Sequence, residues 1–399
     1  MSKSGTANPL TEVALVFLRL GVTSFGGPVA HLGYFHEEIV RRRRWLEESE
    51  YADLVALCQF LPGPASSQVV FALGQRRAGI LGAFVASLCF TLPSALLMIA
   101  FGYGIATVSG LRSAGWLHGL RLAAVAVVAQ AVWVMGRKLC PDLPRLALAL
   151  LAAAAVLAMP GAALQIGVIA AGAAAGWWLY RNEPRTAAGS NTASIARQHA
   201  WAALALVAFG LLLAGLPVVA KSAGNPALRV FDGFYRAGAL VFGGGHVVLP
   251  LLRAEVVPPG WISDEQFLAG YGAAQAVPGP LFTFAAYLGT VITGGRQAWL
   301  GGLGCLFAIF LPAWLLIGGA LPFWNLLRSR AGIQTALRGA NAAVVGVLFA
   351  ALCHPVWRES VGSVGDVGVV LVAFALLQFG RVPAWAVVLL AAAAGHWAL

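Results

Sequence analysis

The chain writes one stretch twice. Phe17-Leu18-Arg19-Leu20-Gly21-Val22-Thr23-Ser24-Phe25-Gly26-Gly27 returns as Phe234-Tyr235-Arg236-Ala237-Gly238-Ala239-Leu240-Val241-Phe242-Gly243-Gly244, with Phe, Arg, Gly and Phe-Gly-Gly at identical spacing. Farther on, Trp45, Gln59 and Pro62-Gly63-Pro64 are matched at the same intervals by Trp261, Gln275 and Pro278-Gly279-Pro280. Apolar composition alone does not reproduce an arginine and a Pro-Gly-Pro at fixed spacing. The chain is an internal duplication.

What the two copies are made of decides where they sit. The chain is 60% hydrophobic and 10% charged, against about 25% charged residues in an ordinary globular domain. Apolar runs of membrane-spanning length recur throughout. This predicts an all-α, polytopic helical membrane protein embedded in a lipid bilayer, with no cleavable signal peptide at its polar N-terminus. The net charge of +11 would suggest nucleic acid in a soluble protein. Here it reads as basic loops on one side of a membrane, with no nucleic-acid partner. Cys58, Cys89, Cys140, Cys305 and Cys353 are scattered without a C-x-x-C pair and read as apolar fillers. No disulfide framework, metal site or cofactor is indicated.

The hydrophobic segments number about 12–13. Six precede the polar stretch Arg181 to Gln198, one without counterpart follows it, and six more complete the chain. Residues 1–180 form an N-terminal repeat, 181–226 a linker with a connecting transmembrane helix, and 227–399 a C-terminal repeat. The duplication continues through Arg77 and Arg296, Leu92-Pro93 and Leu311-Pro312, and Leu120-Arg121 and Leu337-Arg338. With one odd helix between the copies, the second half is upside down relative to the first, the inverted-repeat plan of many secondary transporters. If the Pro-Gly-Pro segments re-enter instead of crossing, the basic loops of the first half all fall on one side and the parity changes.

Two apolar runs broken by Pro-Gly-Pro at matching places point to a site near the bilayer midplane. Irregular backbone survives in lipid only where protein or a water-filled cavity surrounds it. A simple packing kink is the plainer account of either break alone. The half-helix after each break starts with free amides and a partial positive charge, suited to an anion. Arg19 and Arg236 lie deep in their runs, and Arg121 and Arg338 form a second repeated pair nearer the interface. Asp and Glu are confined to loops and run ends, with Asp53 and Asp232 closest to the interior. Four arginines without matching carboxylates leave room for an oxyanion, whose oxygens suit the guanidinium fork. Arg19 and Gly26, seven residues apart, fall on one helix face. Gln59, Ser66, Ser67 and Gln68 flank the first break, and Gln275 and Thr283 the second. His31, His36 and His246 read as structural donors. No H-E-x-x-H, Gly-x-Ser-x-Gly or Walker motif supports a catalytic reading. An enzyme acting on a lipid-linked anion stays as the alternative class.

Phe25-Gly26-Gly27-Pro28, Trp45, Gln59 and Pro62-Gly63-Pro64, echoed at Phe242-Gly243-Gly244-Gly245 and Pro278-Gly279-Pro280, resemble the chromate ion transporter family in its long, two-domain form. The resemblance covers nearly the whole chain. It implies a multi-pass inner-membrane protein that exports chromate, with homologous halves of opposite orientation and an oxyanion site at these motifs. Chromate and a sulfate-like oxyanion stay open as substrates, and so does a homodimer. Pro28 is replaced by Gly245 in the second copy and Glu37-Glu38 has no close counterpart, so the first half is expected to contribute asymmetrically.

Overall fold

In the computed structural model of the chain, residues 8–107, 115–159, 162–181, 196–242, 245–323 and 331–397 are described, and their regular structure is helical. Helix α1 (Pro9–Thr23) starts at Asn8, whose side chain accepts the Leu10 amide, with proline at the first helical position. It stops at Thr23. Ser24 is extended and Gly26 takes φ +96° before α2 (Gly27–Phe35). The chain folds back there: the Phe17 and Phe35 rings lie 6.5 Å apart, and Arg43, beyond the π-helical turn His36–Arg42, binds Glu12 at 2.9 Å. The first two helices form a hairpin with Phe25-Gly26-Gly27 at its tip.

The next pair repeats the shape. Helix α3 (Glu48–Phe60) is 13 residues long, about 20 Å, too short for a bilayer core of about 30 Å. After Pro62-Gly63-Pro64 the chain returns in α4 (Ala65–Thr107). Arg76, late in the returning arm, lies 3.6 Å from Glu50 at the start of α3, and Arg77 binds Glu12 at 2.7 Å. Both hairpins of the first half therefore have their bases on one side and their tips at mid-depth. Helix α4 leaves helical geometry at Ala78 and Gly79 and doubles back, with Gly74 and Gly82 backbone to backbone: a Cβ on Gly74 would stand 2.4 Å from the Gly82 carbonyl oxygen.

Helices α5 (Gly115–Leu139), α6 (Leu143–Ala158), α7 (Ala162–Tyr180) and the unpaired α8 (Ala196–Ala223) follow. The second half rebuilds the plan with α9 (Pro226–Ala239), α10 (Val248–Val256), α11 (Asp264–Ala276), α12 (Phe284–Thr293), α13 (Ala298–Ala320), α14 (Ala331–Ala351), α15 (Val364–Gln378) and α16 (Ala384–Trp397). Phe284 packs on Phe267 and Tyr271, and the Tyr287 hydroxyl donates to the Gln266 carbonyl at 2.9 Å, so α11 and α12 also form a hairpin. Helices α4, α5, α8, α13 and α14 are long and apolar enough to cross a membrane. The halves exchange partners: α14 packs on α6 and α7, and α5 on α15 and α16. Small residues make these contacts close, the usual device where lipid removes the hydrophobic drive between helices.

The halves are inverted. The tip at Gly279 lies beside Ser94 of α4, Thr290 of α12 lies beside Gly102, and Tyr103 donates to the Arg296 carbonyl at 3.0 Å. Helix α12 thus leads toward the end of α4 opposite Arg77, where the first-half hairpins have their bases. The Pro-Gly-Pro segments re-enter, which alone would change the parity. The Phe-Gly-Gly segments re-enter as well, so the inversion stands. Arg41 to Arg44, Arg76, Arg77, Arg137, Lys138 and Arg145 gather on the side of the first-half bases.

One surface carboxylate there gives a pH prediction. Arg145 donates from its side chain and its backbone amide to Asp142, which caps α6, and so holds the carboxyl at a pKa of about 2 instead of 3.8. With the folded pKa depressed, this contribution to stability is complete above about pH 4 and is lost as pH falls toward 2. Asp142→Asn should flatten that part of a stability-against-pH curve and leave the neutral range little changed.

Candidate functional site

Helices α9 and α10 pair in the same way, with Arg236 2.8 Å from Glu255, and the four hairpin tips meet in the middle of the molecule through two reciprocal hydrogen bonds. The Gly63 amide donates to the Val241 carbonyl at 2.7 Å, and the Gly279 amide donates to the Ser24 carbonyl at 2.8 Å. Ser24 and Val241 hold the same place in the two copies. Each Pro-Gly-Pro tip is therefore seated on the Phe-Gly-Gly tip of the opposite half. Gly63 has φ +116° and Gly279 φ +94°, a region L-residues avoid. Thr283 turns its amide and hydroxyl to the Pro280 carbonyl, and the Gln68 side-chain amide donates to the Pro62 carbonyl at 2.8 Å while the Gln68 backbone amide reaches Pro64. Phe25 leans on Trp385 of α16, with ring centroids 5.8 Å apart. Phe242 and Pro278 are half-buried near their tips, and Gly243 and Gly244 lie outside the described residues.

The two junctions differ in chemistry. Around Gly279 stand Ser24, with its carbonyl also held by His31 at 3.2 Å, and Ser94. The second copy has Val241, Val248 and Ala313 at these places. At the polar junction the fully buried Ser24 hydroxyl has no partner among the described residues, and neither has the side-chain nitrogen of Gln275, one turn before Gly279. Buried donors are almost always satisfied, so two at one junction mark a place where something else accepts. Ser67, beside the other tip, also has a buried hydroxyl without a partner among the described residues. Gln59, the counterpart of Gln275, is exposed. His36 and His246 are structural: one meets Glu48 at 2.6 Å, the other the Tyr271 hydroxyl at 2.8 Å.

The four arginines do not converge. Arg236 binds Asp232 at 3.1 Å and Glu255 at 2.8 Å, which corrects the expectation that it lacks carboxylates. Glu255 is the counterpart of Glu38, so the acidic segment of the first half is not without an equivalent. Arg121 reaches Glu265 at 3.5 Å and His118 at 3.1 Å. Arg338 lies over the Tyr180 ring at 5.7 Å, toward the opposite end of the bundle. Arg19 has no carboxylate partner among the described residues and is exposed roughly 7 Å below its tip. Because α1 stops at Thr23, Gly26 is not on the Arg19 helix face as periodicity implied. Ser24, Ser94 and Glu255 were overlooked in the sequence. Comparing the copies position by position, Ser against Val and Ser against Ala, would have found the first two.

The chromate transporter family model matches residues 11–177 and 228–396, one match for each half. The chain belongs to the chromate transporter family. Among the relatives of this transporter is the probable chromate transport protein of Synechococcus elongatus, 29% identical over 87% of this chain and 84% of its own. The chromate transport protein of Cupriavidus metallidurans is 28% identical over 86% and 82%. That of Pseudomonas aeruginosa is 30% identical over 83% and 77%. No solved structure matches the chain.

Proposed function

We propose that this chromate transporter is a secondary transporter that exports the chromate dianion across the inner (plasma) membrane and so confers chromate resistance. The observation that carries the reading is the polar junction, where the Gly279 tip meets Ser24 and leaves the Ser24 hydroxyl and Gln275 amide as buried donors without acceptors. An oxyanion supplies those acceptors. In this reading Phe25, Gly26, Gly27, Pro62, Gly63, Pro64, Pro278, Gly279 and Pro280 shape the tips. Arg19 and Gln59 line the approach, and Arg121, Arg236 and Arg338 serve the surrounding frame. Residues 1–180 and 227–399 act as the two repeats, joined through 181–226.

The side bearing Arg41 to Arg44 is cytoplasmic by the positive-inside rule. A dianion leaving an inside-negative cell gains about 4.6 kcal/mol at about 100 mV, enough for a gradient on the order of a thousand-fold without proton coupling. Inverted vesicles containing the protein should accumulate labelled chromate. Ser24→Val, which installs the residue of the second copy, should weaken apparent affinity about tenfold or more, the worth of one hydrogen bond to a charged group. Vesicles that take up sulfate and not chromate would change the substrate, and vesicles that take up neither would sink the reading.

A further inference from the structure

The same four positions of α3 and α11 have opposite surroundings. On α11, Leu268, Ala269 and Gly272 are buried and Gln275 is half-buried. Their counterparts on α3, Ala52, Asp53, Ala56 and Gln59, are all exposed. The difference comes from a neighbour. Helix α11 packs on α5 so closely that a Cβ on Gly272 would stand 2.3 Å from the Leu120 carbonyl oxygen. The equivalent partner of α3 would be α14 at Leu337, and α3 makes no comparable contact with it. The open α3 face is small and polar and runs from the hairpin base toward the Pro62-Gly63-Pro64 tip. Lipid-facing helices carry large apolar side chains, so this composition suits water.

The closed contact carries a latch. Arg121 of α5 ion-pairs with Glu265 of α11 at 3.5 Å and donates to His118 Nδ1 at 3.1 Å. His118 then donates from Nε2 to Asp366 of α15 at 2.7 Å, and Asp366 is fixed by the Gly362 and Ser363 amides at 2.9 Å. At the symmetry-related contact Ser49 of the first copy takes the place of Glu265, and Thr335 of the second copy takes the place of His118. Among the described residues the latch exists on one side only.

We propose that this structure is the state open toward the Arg41–Arg44 side, that the α5–α11 contact latched by Glu265, Arg121, His118 and Asp366 is the closed gate of the opposite side, and that transport exchanges it for an α3–α14 contact at Ala56 and Leu337. Glu265, His118 and Asp366 are positioning residues. They touch no substrate and set how long the pathway faces one side. Two packings of one sequence related by its internal symmetry are the natural states of an inverted repeat.

The test is cysteine accessibility to a membrane-impermeant maleimide, in the full chain with the exposed Cys353 changed to Ser and no chromate present. Applied from the Arg41–Arg44 side, the reagent should modify Ala56→Cys at least tenfold faster than Ala269→Cys. Adding Glu265→Gln, at an exposed and sterically undemanding position, should slow Ala56→Cys at least threefold. From the opposite side it should speed Ala269→Cys at least threefold. Asp366→Asn should act in the same direction. Unfolding would speed both sites, so the reciprocal change reports the gate. Unreactive Ala56→Cys, or rates that Glu265→Gln moves in the same direction or not at all, would overturn the proposal. The readout needs no anion, so it stands or falls apart from the choice of chromate.

Discussion

Gly279→Ala should reduce chromate uptake into inverted vesicles by about 100-fold at equal amounts of inserted protein. Two effects combine. At φ +94° an L-side chain is strained, with left-handed backbone costing roughly 1–2 kcal/mol. The added Cβ would also stand 2.8 Å from the Ser94 hydroxyl and 3.4 Å from the Phe90 carbonyl oxygen. The tip must move, and its hydrogen bond to the Ser24 carbonyl fixes where the donors of the polar junction point. Misplacing a site by about 1 Å is enough for an effect of that order. The rest of α11 and α12 is held by Phe267, Tyr271, Phe284 and Tyr287, so the protein should still insert. Gly304→Ala is the control: a Cβ there meets nothing within 4 Å, and transport should be unchanged. Full activity of Gly279→Ala would remove the tips from the site.

Arg236→Ala should lower stability where Arg19→Ala, at the same place in the other copy, lowers transport. Asp232 and Glu255 have side chains only 7% and 13% exposed, and Arg236 is the ion-pair partner of both. Removing one partner of a buried pair costs about 3–5 kcal/mol, a large part of a net stability of about 5–15 kcal/mol. Heating detergent-solubilised protein and measuring what remains monodisperse should show the loss. The triple change Arg236→Ala, Asp232→Asn, Glu255→Gln should recover much of it, because the uncompensated charges are gone. Arg19→Ala should leave the heating curve near that of the parent and weaken oxyanion transport. Equal stability losses at the two arginines would contradict their different surroundings.

The duplication and the membrane could be read from residue spacing because repeats and apolar runs are local patterns, whereas the inversion followed from a count of crossings in which two departures, at Phe-Gly-Gly and at Pro-Gly-Pro, cancel. Direction is not local. A run of residues such as Leu10 to Pro28 has the same hydropathy whether it crosses or turns at Gly26, so the fold-back of α1 on α2 needed the Phe17–Phe35 and Glu12–Arg43 contacts. The state of the arginines was illegible for a related reason. Arg236 takes Asp232 from its own turn, yet Glu255 arrives from the other arm of a hairpin that spacing did not reveal. The tips were visible as Pro-Gly-Pro and Phe-Gly-Gly. Their seating on the opposite half was not, since nothing in a motif says what it touches.

Glu12 binds Arg43 and Arg77 together, joining the base of one first-half hairpin to the base of the other. Arg253 and Asp264 make the corresponding tie between α10 and α11. Each pair of hairpins is riveted at its foot, so it should move as one lever and not as separate rods. A lever needs an elbow, and the backbone supplies one immediately beyond each pair. Gly79 stands at φ +68° after Arg77, and Gly294 and Gly295 at +61° and +68° before Arg296. Any displacement of the tips should therefore turn on small rotations at these glycines. A side chain placed there stiffens the whole lever from some 20 Å away.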